Sequence, residues 1–201
     1  MPGITSGITP RLQNARARWA KIFGMELEPA VRTALRFQRY DPQPEIEGVF
    51  YQPLRKHRSL EGSFMEYLRL QGGKVEGLPA AFEAAQISLS WAVPGRVNAF
   101  HLHPKRTQDE LWCVLEGELL VWLVDVREGS RTQGARRKQV LSGEAPGLLH
   151  VPTGVAHGYK AGSRGALLLY AMNSQFDPAD PNEGRLPWDH FGAELWEEDR
   201  G

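Results

Sequence analysis

The chain has 201 residues, enough for one sizeable core, and an all-β barrel with extensions can occupy that whole length as one domain. Lysine plus arginine and aspartate plus glutamate each number 24, so the formal net charge is zero and no bulk field recruits nucleic acid or an anionic membrane. The expected partner is a small molecule, with no nucleic acid and no membrane.

Thr9-Pro10 can cap and start a helix carrying Leu12, Ala15, Trp19, Ile22 and Phe23, with Gly24 placed to stop it. A second helix is predicted from Pro29 through Val31, Ala34, Leu35 and Phe37, ending before the linker Asp41-Pro42-Gln43-Pro44. Residues 1–45 thus read as an N-terminal helical extension. Its basic residues (Arg11, Arg16, Arg18, Lys21, Arg32, Arg36 and Arg39) alternate with acids and helix-spaced apolar residues, which favours a solvated face or a subunit contact over nucleic acid. The leading residues lack an apolar stretch, and no run approaches the ~20 apolar residues that cross a bilayer, so neither export nor insertion is expected.

From about Gly48 the texture changes to short β-rich runs separated by Gly, Pro and charged turns. Strands are predicted at 49–53, 63–70, 84–92, 97–102, 110–116, 118–126, 136–141, 148–151, 156–160 and 166–173, which makes residues 46–175 a β-barrel. The run ELWCVLEGELLVWLVDV reads as a hairpin turning at Glu116-Gly117-Glu118. It contains Cys113, the only cysteine, which excludes an internal disulfide; a buried, inert thiol there fits a reducing cytoplasm. Residues 176–201 form a tail expected to fold over the barrel, because Trp188, Phe191 and Trp196 seek burial.

His101 and His103 are two apart, so on a strand both imidazoles face one side. Glu110 follows on the next strand, and Pro152-Thr-Gly154-Val-Ala-His157 brings a third imidazole after a tight turn. Three imidazole nitrogens and one carboxylate leave open positions on a divalent metal ion, and these ligand types do not separate iron, manganese, nickel and zinc. The glycine, His-x-His, Glu, glycine pattern followed by Pro-x-Gly-x-x-His resembles the two cupin motifs and implies an all-β double-stranded β-helix, the cupin jelly roll.

Residues 46–188 also resemble the dTDP-4-dehydrorhamnose 3,5-epimerase family, cupin-fold proteins that are usually homodimers. The stretch from Gly117 to Gly134 is close to the family's GEVFDVAVDxRxxSPTFG. Glu61-Gly-Ser-Phe-Met-Glu66 is similar to RGFFxE, and Val151-Pro-Thr-Gly-Val-Ala-His157-Gly-Tyr159 to IPxGFAHGF. The resemblance implies an isomerase acting by proton abstraction alpha to a keto group: His101 as base, Tyr170 as acid on the opposite face, and Asp189 as the carboxylate partner of the base. Glu66, Asn98 and Trp112 are the implied or candidate substrate contacts. The family's two phosphate-binding arginines fall at Glu61 and Asn98, so by charge alone an ordinary dTDP-sugar is not expected. The family's enolate-steadying lysine falls at Glu110, where a bare carboxylate would repel an enolate and a metal would attract it. A metal-bound His101 could not also be the free base.

Three readings follow: a metal-assisted epimerase or isomerase of a carbohydrate keto substrate, a metal-dependent cupin dioxygenase, and a non-catalytic sugar-binding cupin. Each residue also has a plainer reading. Tyr170 follows Leu167, Leu168 and Leu169 and could be a core tyrosine. Asp189 could cap a helix, and Glu66 could be a solvated acid. Trp91, Trp112 and Trp122 suit barrel packing better than sugar stacking.

Overall fold

The computed structural model describes residues 27–38 and 40–198, and the helix predicted between Thr9 and Gly24 lies outside them. The chain divides into two units, Met1–Pro42 and Gln43–Gly201. In the first, Pro29–Ala34 forms helix α1, with Pro29 in the first turn, where its missing N–H leaves nothing unpaired. The helix stops short of the predicted Phe37, because Leu35 already has an extended ψ of 128°. Arg32 and Arg36 donate to the nearby carbonyls of Leu27 and Thr33 at 3.1 and 3.0 Å.

The second unit is built from twelve strands: β1 (Phe50–Pro53), β2 (Lys56–Ser59), β3 (Gly62–Met65), β4 (Leu70–Gln71), β5 (Lys74–Val75), β6 (Gln86–Ala92), β7 (Val97–Leu102), β8 (Glu110–Asp125), β9 (Arg136–Ser142), β10 (Gly147–Val151), β11 (Val155–Met172) and β12 (Gly184–Arg185). Eight of them form one sheet in the order β1-β10-β8-β11-β7-β12, with β6 on β11 and β9 on β8. The hairpins β2–β3 and β4–β5 stand apart from it.

The architecture depends on two long strands. β8 and β11, 16 and 18 residues long, pair antiparallel along nearly their full lengths. The first part of β8 also takes β10 and its second part β9, while β11 takes β7 first and β6 afterwards. The pair therefore bends in the middle, and each half carries its own flanking strands, giving the two layers of a jelly roll.

This corrects the hairpin expected at Glu116-Gly117-Glu118, and likewise the separate strands expected at 156–160 and 166–173. Gly117 does have positive φ, 69°, but the chain bends there instead of reversing. A Cβ on Gly117 would collide with the carbonyl oxygen of Gly165 across the pair, so the crossing at the bend excludes any side chain. A glycine read as a turn was in fact the corner of a barrel.

Between the layers lies a core that includes Trp112, Val114, Leu119, Val121, Leu123, Leu149, Val151, Tyr159 and Leu168. The tail folds back as predicted for two of its three aromatics. Trp196, in the short 3-10 helix Ala193–Trp196, is 4% exposed and packs with Phe100, Val124 and Ala156, with Phe191 alongside, whereas Trp188 stays 49% exposed. β12 in this tail pairs Arg185 with His101 and Gly184 with Leu102, which brings the tail to the mouth of the barrel. Among the described residues no helix is long and apolar enough to cross a membrane.

Candidate active site

A cavity of about 390 Å³ opens within the barrel, walled by β6, β7, β8 and β11 and by the tail. Its floor and walls bring together His101, His103, Glu110, His157, Tyr170, Asn98 and Trp112, seven of the nine residues singled out from sequence. Glu66 and Asp189 are the exceptions. Glu66 is exposed beyond the end of β3 and pairs with Arg69 at 3.0 Å. Asp189 lies on an exposed turn of the tail, where its backbone carbonyl accepts from Gly192.

The carboxylate facing His101 is instead Glu183, whose Oε1 lies 3.3 Å from His101 Nδ1. This corrects the pairing with Asp189. The reason is topological: β12 lies directly against β7, so the residue just before β12 reaches the imidazole, while the chain has turned outward by Pro187. On the other side of the ring, Nε2 lies 2.9 Å from Asn98 Oδ1, which also accepts from Arg185 Nη1 at 3.1 Å. Burial, then the neighbouring His157 and Arg185, pull the His101 pKa down to about 4, so the ring is neutral at physiological pH. Once protonated, its two N–H groups would both meet acceptors, Glu183 and Asn98.

His101 does not share a centre with the other ligand candidates, contrary to the four-residue shell read from sequence. The groups that converge are His103, Glu110 and His157, whose ligand atoms all lie within 4.8 Å of one another and which are all buried. β7 ends at Leu102, so His103 no longer follows strand alternation and turns inward, held by Nδ1 at 2.6 Å from the Asn182 carbonyl. His157 is held in the same way, with Nδ1 2.9 Å from the Val155 carbonyl. Each ring thereby donates its Nδ1 proton to backbone and presents Nε2 to Glu110, at 3.0 Å for His103 and 3.7 Å for His157.

An unprotonated Nε2 facing a carboxylate sets lone pair against lone pair, and a positive charge must lie between them, either a proton or a metal ion. Two imidazoles fixed by carbonyls and one carboxylate therefore fit a divalent ion. Glu110 also accepts from Trp112 Nε1 at 2.6 Å and Gln108 Nε2 at 3.2 Å. Its burial favours the neutral acid, but the hydrogen bond from His103 and the charges of both imidazoles outweigh this and keep it ionised. Burial acts against His103 too, yet Glu110 raises its pKa on balance, whereas burial dominates at His157 and lowers it.

Tyr170 lines the cavity from the second half of β11, opposite Trp112 in register. Burial first, and then the Glu110 charge, push its phenol up, so it remains a proton donor at neutral pH. Trp91 is 72% exposed outside the barrel, and Trp122 donates to the Leu195 carbonyl at 2.8 Å, so neither reaches the cavity. Sequence reasoning passed over Glu183, Gln108, Tyr159 and Arg185, which also line it. Gln108 had a signal, two residues from Glu110 on a chain about to enter β8; Glu183 and Arg185 had none, since only the pairing of β12 brings them in.

The fold is a cupin-type jelly roll whose cavity holds an imidazole–carboxylate pair and a phenol, groups able to take up and give protons. Residues 43–195 match the family described as dTDP-4-dehydrorhamnose 3,5-epimerase. The chain is 37% identical over 145 residues to the spore coat polysaccharide biosynthesis protein SpsL of Bacillus subtilis, covering 72% of this chain and 91% of that one. It is 30% identical over 147 residues to a probable low-salt glycan biosynthesis epimerase, Agl13, of Haloferax volcanii, covering 73% and 90%. Among solved structures, a dTDP sugar isomerase from Desulfovibrio desulfuricans superposes with a TM-score of 0.62 at 26% identity, over 77% of this chain and 91% of that one. The chain belongs to the dTDP-4-dehydrorhamnose 3,5-epimerase family and so to the isomerases.

Proposed function

We propose that the protein epimerises a nucleotide-linked keto-sugar by removing a proton alpha to the carbonyl with His101 and returning one to the opposite face from Tyr170. The observation that carries this reading is the placement of His101 between Glu183 and Asn98 in the same cavity as Tyr170. Glu183 favours the tautomer with the proton on Nδ1, and Nε2, which faces Asn98 Oδ1 at 2.9 Å, serves as the base once the keto-sugar displaces that amide oxygen. As the C–H proton moves to Nε2 the ring becomes a cation, and Glu183 offsets that charge within the buried site. The electrons of the C–H bond pass to the carbonyl oxygen, giving an enolate. Tyr170 then donates its proton to carbon from the other side, and the two residues exchange protons with solvent before the next turnover.

The enolate needs a positive partner, and this chain has Glu110 where the family resemblance puts a lysine. We assign that role to the His103–Glu110–His157 cluster, which would hold a divalent metal; such an ion polarises a carbonyl as a Lewis acid. Because His101 lies outside this cluster, holding the ion does not consume the base. His103→Ala is expected to lower bound metal from near one per chain to background by elemental analysis, with the β-sheet circular dichroism unchanged. Full metal content in the variant would refute the assignment.

The same protein is proposed to act as a cytoplasmic homodimer. Cys113 is buried and unpaired, as in reducing compartments. The outward face of β6 exposes Ile87, Leu89 and Trp91, followed by Val93, and β6 pairs only with β11 among the described residues. Such an apolar row on an edge strand calls for cover, and a second copy supplies it.

The test is to incubate the protein with a dTDP-linked 4-keto-6-deoxy sugar in deuterium oxide while following dissolved oxygen. Deuterium at the carbon beside the carbonyl, with constant oxygen, is the expected result. Oxygen consumption without exchange would replace this reading with the dioxygenase, and silence on both counts with a binding protein.

A further inference from the structure

The stretch of tail just before β12, residues 180–183, lies along the connection from β7 to β8, and the buried contacts between the two converge on Asn182. Asn182 is 5% exposed, and both ends of its side-chain amide are engaged. Its Oδ1 accepts from the backbone N–H of Lys105 at 2.8 Å and of Arg106 at 3.3 Å. Its Nδ2 donates to the Arg106 carbonyl at 2.9 Å and to Gln108 Oε1 at 3.3 Å. A buried amide so engaged resists displacement, because shifting it would leave several polar groups with neither partner nor water.

Both halves of the site depend on this one residue. The Asn182 carbonyl takes the Nδ1 proton of His103 at 2.6 Å, which leaves Nε2 to face Glu110. The next residue is Glu183, whose carboxylate faces His101 at 3.3 Å. Gln108, its Oε1 held by Asn182 and by Ser174 at 3.0 Å, turns Nε2 to Glu110 at 3.2 Å. The metal-binding cluster and the carboxylate beside the base are thus attached at adjacent residues, and a shift of the chain that breaks the His103 bond also moves Glu183.

The surface contacts of the same stretch are of another kind. Asp180 pairs with Lys105 at 2.5 Å and with Arg106 at 2.8 Å, but all three side chains are at least 39% exposed. Ion pairs so open to water contribute little, so the buried amide is what holds the stretch in place.

We propose that Asn182 is a positioning residue that joins the His103–Glu110–His157 cluster to the His101–Glu183 pair, so that an ion held by the cluster also steadies the carboxylate beside the base. An imidazole that gives its Nε2 lone pair to a cation donates more strongly from Nδ1, which tightens the bond to the Asn182 carbonyl. By linkage, an opening of residues 180–183 that breaks this bond weakens the hold on the ion by the same factor. The proposal rests on the keto-sugar reading and the metal assignment above, and adds that the ion acts on the base as well as on the enolate.

The first test needs no variant. Amide hydrogen exchange of the full chain is followed by mass spectrometry with and without Zn(II). Backbone amides of residues 180–186 should exchange about tenfold more slowly with Zn(II) bound, while those of the β2–β3 hairpin, which stands apart from the cavity, should not change. The second test is calorimetric titration with Zn(II). Asn182→Ala, which keeps the backbone carbonyl but frees it, should bind Zn(II) about tenfold more weakly and lose about tenfold in kcat for alpha-proton exchange. Asp180→Asn should stay within about threefold of the wild type on both counts. Unchanged amide exchange at 180–186 on loading, Zn(II) binding by Asn182→Ala within about twofold of the wild type, or an equal loss in Asp180→Asn would each overturn the proposal, while wild-type uptake of Zn(II) leaves the metal assignment standing. A wild type that takes up no Zn(II) removes the metal assignment and this proposal together, and deuterium exchange into a keto-sugar then still decides the epimerase reading. Slowed exchange at 180–186 without keto-sugar turnover would remove that reading and keep the tie through Asn182.

Discussion

His101→Asn is expected to lower kcat for alpha-proton exchange by about 10³–10⁴, with KM changed little, because a general base acts on the transition state and contributes that order of rate. Folding should survive, since the ring contributes no backbone support and is partly open to the cavity. Glu183→Gln separates positioning from chemistry. Glu183 raises the affinity of His101 for a proton while burial lowers it, so removing the carboxylate moves the acid limb of the kcat/KM profile still lower in pH. The expected kcat loss is about 10²-fold, smaller than for the base itself. A purely structural role for Glu183 would leave the limb where it is, and the wild-type limb itself should lie below the ordinary histidine value, toward about 4.

The largest expected effect on stability is that of Asp125→Asn. Asp125 is 1% exposed at the end of β8, and its carboxylate accepts from Arg127 Nε at 2.8 Å and Nη2 at 2.9 Å, and from the hydroxyls of Ser130 and Thr132 at 2.6 Å each. Arg127 in turn donates to the Glu47 carbonyl at 2.7 Å, which ties the turn after β8 to the segment entering β1. Breaking a buried, hydrogen-bonded ion pair costs about 3–5 kcal/mol, and the part-exposed Arg127 reduces this to about 2–3. For a chain of this size that is a fall of roughly 5–10 °C in Tm. The folded pKa of Asp125 is depressed, chiefly by Arg127, so its contribution is present above the unfolded carboxylate value of about 3.9 and is lost as pH falls toward the folded one. The gap between wild type and variant should therefore narrow below about pH 4; a gap that stays constant to pH 3 would show that charge is not its source.

Much of the fold was legible because β-rich runs, glycines and turns punctuate the chain at barrel spacing, and seven of nine candidate site residues do line the cavity. What misled was local. Gly117 carries the φ of a turn, but it pairs with Ala166 and lies against the Gly165 carbonyl where the β8–β11 ladder shifts register, which makes it a corner that no window of sequence contains. His101 and His103 have the alternation of a ligand pair, yet β7 ends between them, and His101 faces Glu183 while His103 joins Glu110 and His157. Glu183 became visible only through the two-residue strand β12. Long-range pairing, which decides such cases, leaves little periodic trace in short strands.

Two-sided proton transfer between His101 and Tyr170 is tested most directly by Tyr170→Phe, given a keto-sugar deuterated beside the carbonyl and followed by NMR in ordinary water. The label should be lost at a substantial rate while the configuration is retained, because His101 still removes the deuteron and returns a solvent-derived proton to the same face. Inversion at the wild-type rate in this variant, or label held in place, would contradict the assignment of base and acid to opposite walls of the cavity.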